Sequence, residues 1–363
     1  MRREYHPYAI MLAVNAAISL SALFVPLLAK DIGLSLADIG IIGSAYGLAS
    51  FFSYTIFGKL ADLTGKEKEI VCAGLCVGTI FFGMQIYMKD FLSMIVLRAM
   101  AGISVGMCTF PLFSYIFGTK DYRQKIGWLA GFGSLGWAMG YLIAGVVGRW
   151  REGFMIAGLF FAFGFLTSLG LKSQERTRRL NSSVKEILAR NLPLYLSYFL
   201  RHTGAYAVWA IFPVFLKEEL GTPIFWIGML DAINTGSQFF IMGTLGRKAG
   251  SWNGRKIFRI GLILSTSAFL LYSVVTSYLQ LIPVMLMIAG AWSFLYIGAL
   301  THLLEKNAGK ATSTGLLGST ISLSMVVGPV LGGFVSHVAG MRMTGVLAGI
   351  LSLGGFVCSR FIK

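Results

Sequence analysis

The sequence predicts an all-α polytopic membrane protein, with twelve transmembrane helices in two parallel six-helix repeats. Three observations carry this. The 363 residues are 56% apolar and only 13% charged, more apolar surface than a water-soluble core of this length can use. Apolar stretches recur between short polar breaks at close to the roughly 20 residues that a bilayer core about 30 Å thick requires of a helix. The chain also matches itself when displaced by 188 residues.

The spans follow in order. The first, about 8–29, comes after Arg2 and Arg3 in the manner of a leader, but no small-residue cleavage site precedes the next span, so it is kept as a membrane helix. The second covers about 37–58 and the third 69–88, on either side of a glycine- and lysine-bearing break. The fourth, 91–117, is apolar except for Arg98, and the fifth and sixth, 124–148 and 152–171, are rich in glycine and aromatic residues. Then comes the longest polar break, KSQERTRRLNSSVKEILARN, residues 172–191. Within it Ser183 and Glu186 have capping-box spacing, which predicts a short helix lying on the membrane surface. The remaining spans are 192–216, 223–246, 255–276, 278–302, 311–338 and 341–362.

A net charge of +16 invites comparison with nucleic-acid binders, so the placement of the 31 Lys and Arg decides. When breaks are assigned alternately to two sides, Lys30, Lys89, Arg149, Arg151, Lys217 and Arg342 fall on one side, Arg98 and Arg201 fall inside spans, and all the others lie with the N-terminus. This is the positive-inside pattern, and it predicts a cell-membrane protein with both termini cytoplasmic. It leaves no separate basic patch for nucleic acid. Cys72, Cys76, Cys108 and Cys358 all lie within spans as small apolar side chains, so neither a disulfide nor a metal site is expected, and no cofactor.

Displacement by 188 brings Ala101-Gly102 onto Ala289-Gly290, Phe51-Phe52 onto Phe239-Phe240, Gly40 onto Gly228, and Gly136, Gly140 and Gly145 onto Ser324, Gly328 and Gly333. Six spans separate the copies, an even number, so both insert the same way round. The expected division is an N-terminal bundle 1–171, a basic cytoplasmic linker 172–191 and a C-terminal bundle 192–363. In parallel-repeat transporters the site lies at the membrane midplane between the halves.

The break after the second span reads GKLADLTGKEK. Gly58, Asp62, Gly65 and Lys66 fit the G-x-x-x-D-x-x-G-[RK] loop of the major facilitator superfamily, and a related GRKAGSWNGRK follows the eighth span with Gly250 in place of the acid. The chain resembles that superfamily along its whole length. The resemblance implies a gating role for the loop, in which Asp62 sits near a helix N-terminus in one conformation and not in another. LRAMAGISVG, with Arg98 ahead of Gly102 and Gly106, is similar to the family's fourth-helix pattern. GWAMGYLIAG (Gly136, Gly140, Gly145) and SMVVGPVLGG (Gly328, Pro329, Gly332, Gly333) look like two imperfect copies of its G-x-x-x-G-P-x-x-G-G element, whose small residues let helices approach closely. Gly102–Gly106 and Gly131–Gly136 also match a hydrolase elbow and a dinucleotide fingerprint, but both lie inside spans, without the strand-turn-helix context those motifs need.

FLRHTGAYAVWAIFP, residues 199–213, sets Arg201 beside His202 in an apolar span. At 1.5 Å per residue Arg201 lies about 14 Å from one membrane face. Asp231, the only acid away from the ends of a predicted span, lies about 12 Å from the other, so the two are close enough in depth for an ion pair. Intramembrane charges are costly, and they line pathways or relays by default. Helical spacing places His202, Tyr206 and Trp209 on one face, and Asp231, Asn234 and Gln238 on another. Asn15, Gln85, Trp292 and Tyr296 are further candidates for the cavity. The alternative is a purely structural Arg201–Asp231 pair with ordinary aromatic packing.

The expected activity is secondary active transport by alternating access, coupled to protons through Asp231 or His202, by a monomer whose partners are a small-molecule substrate and the bilayer. No nucleotide-binding loop is present to couple it to ATP. Met- and aromatic-rich spans point to export of amphipathic or drug-like molecules; Arg98, Arg201 and His202 point instead to uptake or exchange of an anionic or polar metabolite. An intramembrane enzyme is the remote alternative, since only His202 beside Thr203 offers a base near a nucleophile.

Overall fold

The computed structural model describes residues 5–117, 122–172, 184–248, 253–307 and 310–362. Among them are twelve α-helices: α1 (His6–Asp31), α2 (Leu36–Thr64), α3 (Glu67–Gly83), α4 (Phe91–Phe117), α5 (Tyr122–Val147), α6 (Trp150–Ser168), α7 (Val184–Glu218), α8 (Ile224–Lys248), α9 (Gly254–Val274), α10 (Leu281–Lys306), α11 (Lys310–Ala339) and α12 (Met343–Ser359). Nine of them are long and apolar enough to cross a bilayer by length and composition alone. Side chains such as Leu92, Val146, Leu159, Phe240, Val274 and Phe334 stand outward and exposed, an arrangement suited to lipid and costly in water.

Short polar devices start the helices between these apolar runs. Ser35 donates from its amide and its hydroxyl to Asp38 at the head of α2. Asp90 and Ser93 cap α4 reciprocally, with the Ser93 amide donating to the Asp90 carboxylate at 2.8 Å. These Ser93 hydrogen bonds hold the Asp90 carboxyl below its ordinary value.

One expectation is corrected. The surface helix anticipated from Ser183 and Glu186 is not a separate element; residues from Val184 form the first turns of α7, which runs 35 residues without a break past Pro193. Ser183 itself lies outside the described residues. Proline is tolerated within helices that span a membrane; the Ser197 hydroxyl adds a hydrogen bond to the carbonyl of Pro193 at 2.6 Å.

Contacts sort the chain into two compact units. One comprises Met1–Leu34, Ala45–Arg179 and Pro223–Gly236; the other comprises Ser35–Ser44, Leu180–Thr222 and Ser237–Lys363. In the first, α1 packs against α5 and α6, and α3 against α4 and α6. In the second, α7 packs against α11 and α12, and α9 against α10 and α12. Adding six to each helix number of the first unit gives the second, so the sequence repeat is also a repeat of packing. The equivalent helices α1 and α7 are the most enclosed of the candidate spans.

Glycines set how closely these helices meet. In the first unit a Cβ on Gly136 would strike the backbone of Leu12, and one on Gly140 would strike Ala16 and Ser19, so α5 lies directly on α1. In the second unit a Cβ on Gly328 would lie 2.7 Å from the Thr203 carbonyl oxygen, and one on Gly332 would strike Ala207, so α11 lies on α7 in the same way. The C-terminal glycine of each copy serves another helix. Gly145 meets Phe225 and Gly228 at the start of α8, and Gly333 meets Leu36 and Gly40 at the start of α2.

Arg342 closes the end of the second unit away from the termini. Its Nε meets Glu219 at 2.9 Å, and its Nη1 donates to the carbonyls of Val275 (2.6 Å) and Ser273 (3.3 Å), tying the loops after α7 and α9 to the start of α12. Both side chains are part-exposed, so solvent discounts the ion pair and the carbonyl bonds carry most of the effect. Arg342→Ala is expected to lower unfolding stability by about 1–2 kcal/mol, read as a lower thermal midpoint in detergent, whereas Arg149→Ala, at a largely exposed ion pair with Glu152, should leave it unchanged. Equal midpoints for the two variants would remove the tie.

Candidate functional site

Among the described residues each unit buries one arginine, Arg98 or Arg201, and each donates to a serine hydroxyl and lies against aromatic rings, Tyr46 for Arg98 and Phe269 and Trp292 for Arg201. In the second unit Arg201 is 2% exposed. Its Nε donates to Ser265 Oγ on α9 at 2.9 Å, and its guanidinium lies 5.4 Å from the ring centre of Phe269 and 5.9 Å from that of Trp292. Its Nη2 is buried with no hydrogen-bond partner. Leaving a buried charged donor unsatisfied costs more than the ~1–3 kcal/mol of a neutral group.

His202 extends the same surface. Its ring stacks on Tyr198 one turn earlier, with centroids 4.2 Å apart, and meets Trp292 edge-on at 4.6 Å. Trp292 in turn stacks on Tyr296, and the Tyr206 ring lies 6.3 Å from His202. The His202 Nδ1 faces the Tyr198 carbonyl at 3.2 Å. A carbonyl only accepts, so Nδ1 carries the proton in the neutral ring and Nε2 is left as an acceptor. That Nε2, the Tyr198 hydroxyl and the Thr203 hydroxyl are all buried and unpartnered. Arg201, Tyr198 and His202 thus present donors, an acceptor and flat rings on one stretch of α7 that meets side chains of α9 and α10.

In the first unit Arg98 of α4 donates to Ser21 Oγ of α1 at 2.9 Å, and Ser21 donates to Gln85 Oε1 at 2.6 Å. The Tyr46 ring of α2 covers the guanidinium at 4.2 Å. Arg98 Nε and Gln85 Nε2 remain buried and unpartnered. Asp231 and Asn234 are buried on the part of α8 that belongs to this unit, where the Thr235 hydroxyl bonds back to the Asp231 carbonyl oxygen.

The structure thus gathers Arg201, His202, Tyr206, Trp292 and Tyr296 in one unit and Arg98 with Gln85 in the other. The other candidates have the following places. Asn15 donates to the carbonyl and the sulfur of Met11 on its own helix, Trp209 packs edge-on against Phe212, and Gln238 falls in the unit opposite to that of Asp231 and Asn234. Arg201 and Asp231 likewise belong to different units. Of the loop motif, Gly65 takes φ +65°, a backbone that favours glycine, and its amide closes α2 on the Ala61 carbonyl at 2.9 Å. Gly58 packs near Phe110, Lys66 caps α3, and the Asp62 side chain lies outside the described residues. Pro329 of α11 meets Gly40 and Gly43.

Sequence reasoning missed Tyr198, Ser265, Phe269, Ser21 and Tyr46. Tyr198 carried a signal, an aromatic one helical turn before His202. The others come from distant helices, and nothing in their local sequence distinguishes them from packing residues.

Comparison with known proteins completes the description. The sequence model described as Major Facilitator Superfamily matches residues 8–192 and 194–363. An uncharacterized MFS-type transporter of Methanocaldococcus jannaschii is 23% identical over 95% of this chain and 93% of its own length. The quinolone resistance protein NorA of Staphylococcus aureus is 28% identical over 40% of this chain and 39% of its own. Among solved structures, a point mutant of the nucleoside transporter NupG superposes with a TM-score of 0.84 at 14% identity, covering 99% of this chain and all of that one.

Proposed function

Because the chain belongs to the Major Facilitator Superfamily and is a membrane transporter rather than an enzyme, we propose that it is a proton-coupled secondary transporter working by alternating access, and that its substrate is a flat, amphipathic organic molecule carrying an anionic or hydrogen-bond-accepting group. The halves of the cycle are those expected from the sequence, 1–171 and 192–363, with both termini cytoplasmic.

The observation that carries the substrate class is the unpartnered Nη2 of Arg201, whose guanidinium lies between the rings of Phe269 and Trp292. An aromatic or conjugated solute offers those rings a face, and its anionic or carbonyl group offers Nη2 the acceptor it lacks. Asp231 supplies the group that takes and releases a proton, whereas an arginine stays charged throughout.

Thermal unfolding of the detergent-purified protein at pH 5.5 and 8, against organic anions, sugars and lipophilic cations, tests this. A ligand held at about 100 times its Kd stabilises by roughly 2.7 kcal/mol. Stabilisation by an aromatic anion that disappears in Arg201→Ala is the expected result. Stabilisation by a lipophilic cation that survives Arg201→Ala would instead support export of drug-like compounds with the arginine as scaffold, a reading favoured by the partial likeness to the quinolone resistance protein.

A further inference from the structure

Away from these sites, the start of α9 and the end of α12 enclose an open groove of about 560 Å³. It is lined by Asn253, the basic side chains of Arg255, Lys256 and Arg259, and the apolar ones of Ile260, Ile263 and Phe356. We propose that this groove binds an anionic phospholipid of the surrounding bilayer, with the phosphate at the three basic residues and an acyl chain along the apolar ones.

The helix geometry gives the order of these groups. Positions 255, 256, 259, 260 and 263 form one stripe of α9. From Lys256 to Ile263 the helix rises about 10 Å, the step from a headgroup layer into hydrocarbon. Counting crossings from α1, α9 begins on the membrane face that carries the chain termini. Basic residues at that face, followed along the helix by apolar ones one to two turns deeper, match the profile of a phospholipid.

The charges also want a partner. The first turn of α9 holds no acid, so Arg255 and Lys256 sit at the positive end of the helix dipole, where cations are disfavoured. The end amides cannot themselves hold the anion, because the Asn253 side chain already accepts from the Arg255 and Lys256 amides. The side chains must do so. Two are placed by α12: Arg255 Nη1 donates to the Ile362 carbonyl at 3.3 Å and Arg259 Nη2 to that of Ser359 at 2.9 Å. Each guanidinium keeps further donors, and the Arg259 Nε is buried without a partner. Lys256 is exposed. No carboxylate lines the groove among the described residues. Basic pockets between membrane helices on the basic side of a protein are suited to such headgroups.

Native mass spectrometry of the full-length protein, titrated with phosphatidylglycerol or with phosphatidylcholine of the same acyl chains, is the test. Phosphatidylglycerol should be retained preferentially, and Lys256→Gln should weaken that retention about five-fold with the thermal midpoint unchanged, since this side chain is exposed. Ile263→Ala should weaken retention of the phospholipid as well. Equal retention of the two lipids, or unaltered retention in Lys256→Gln, overturns the proposal. So does equal competition by glycerol phosphate at the same concentration, which would make the groove a small-anion site.

Discussion

Replacing Asp231 by asparagine is expected to abolish solute flux driven by a pH gradient while leaving the protein folded and inserted. Asn keeps the size of the side chain, 5% exposed on α8, and removes only its capacity to bind a proton. A coupling ion acts solely through its differential affinity for two conformations. Moving an equilibrium from 1:99 to 99:1 takes about 5.5 kcal/mol of such difference, and under the proposed coupling the buried Asp231 is the acid expected to supply it. Flux in proteoliposomes with an imposed pH gradient should fall about 100-fold or more, while solute exchange without a gradient persists. Unchanged pH dependence in Asp231→Asn would remove this residue from coupling and leave His202 as the group to examine.

The second large effect is expected at Gly228. A Cβ there would strike the Tyr141 carbonyl and lie 2.8 Å from the Gly145 amide nitrogen and 2.9 Å from its Cα. These are backbone atoms on α5, which cannot swing aside as a side chain can. Overpacking of this kind costs about 1–3 kcal/mol, equivalent to a shift of roughly 5- to 150-fold between two conformations. If the crossing forms in one stage of the cycle and opens in another, Gly228→Val should slow transport by a factor in that range. Gly290→Ala is the control, since a Cβ there meets nothing within 4 Å. Transport at the normal rate in Gly228→Val would show that the crossing carries no part of the cycle.

The fold was legible in the sequence because hydropathy and repeat are properties of the chain itself. Spans of sufficient length fix helices in a bilayer, and a displacement of 188 residues needs no structure to be seen. The α7 start was misplaced for the complementary reason: the polar residues before Leu192 mark where hydrocarbon ends, and a helix is free to continue into water. The charged candidates were legible because Arg98, Arg201 and Asp231 are expensive where they lie. Their partners were not. Ser265 and Ser21 have no charged or unusual neighbour within a turn of their own helices, and only packing brings them to a guanidinium. The glycine elements stand between these cases: their spacing announced close approach, while the choice of α1 and α7 as the helices approached came from the structure.

The length of α7 has a mechanical consequence. Its 35 residues make a rod of about 52 Å, against a hydrocarbon layer of about 30 Å, and Arg201 sits near its midpoint. Such a rod is a lever about Arg201, with an arm of about 25 Å running to Val184. A tilt of about 10° at the level of Arg201 would carry the Val184 end through roughly 4–5 Å. Whatever grips that arm, whether a headgroup layer, an antibody or the chain leading into it, therefore has leverage on the arginine from about 25 Å away.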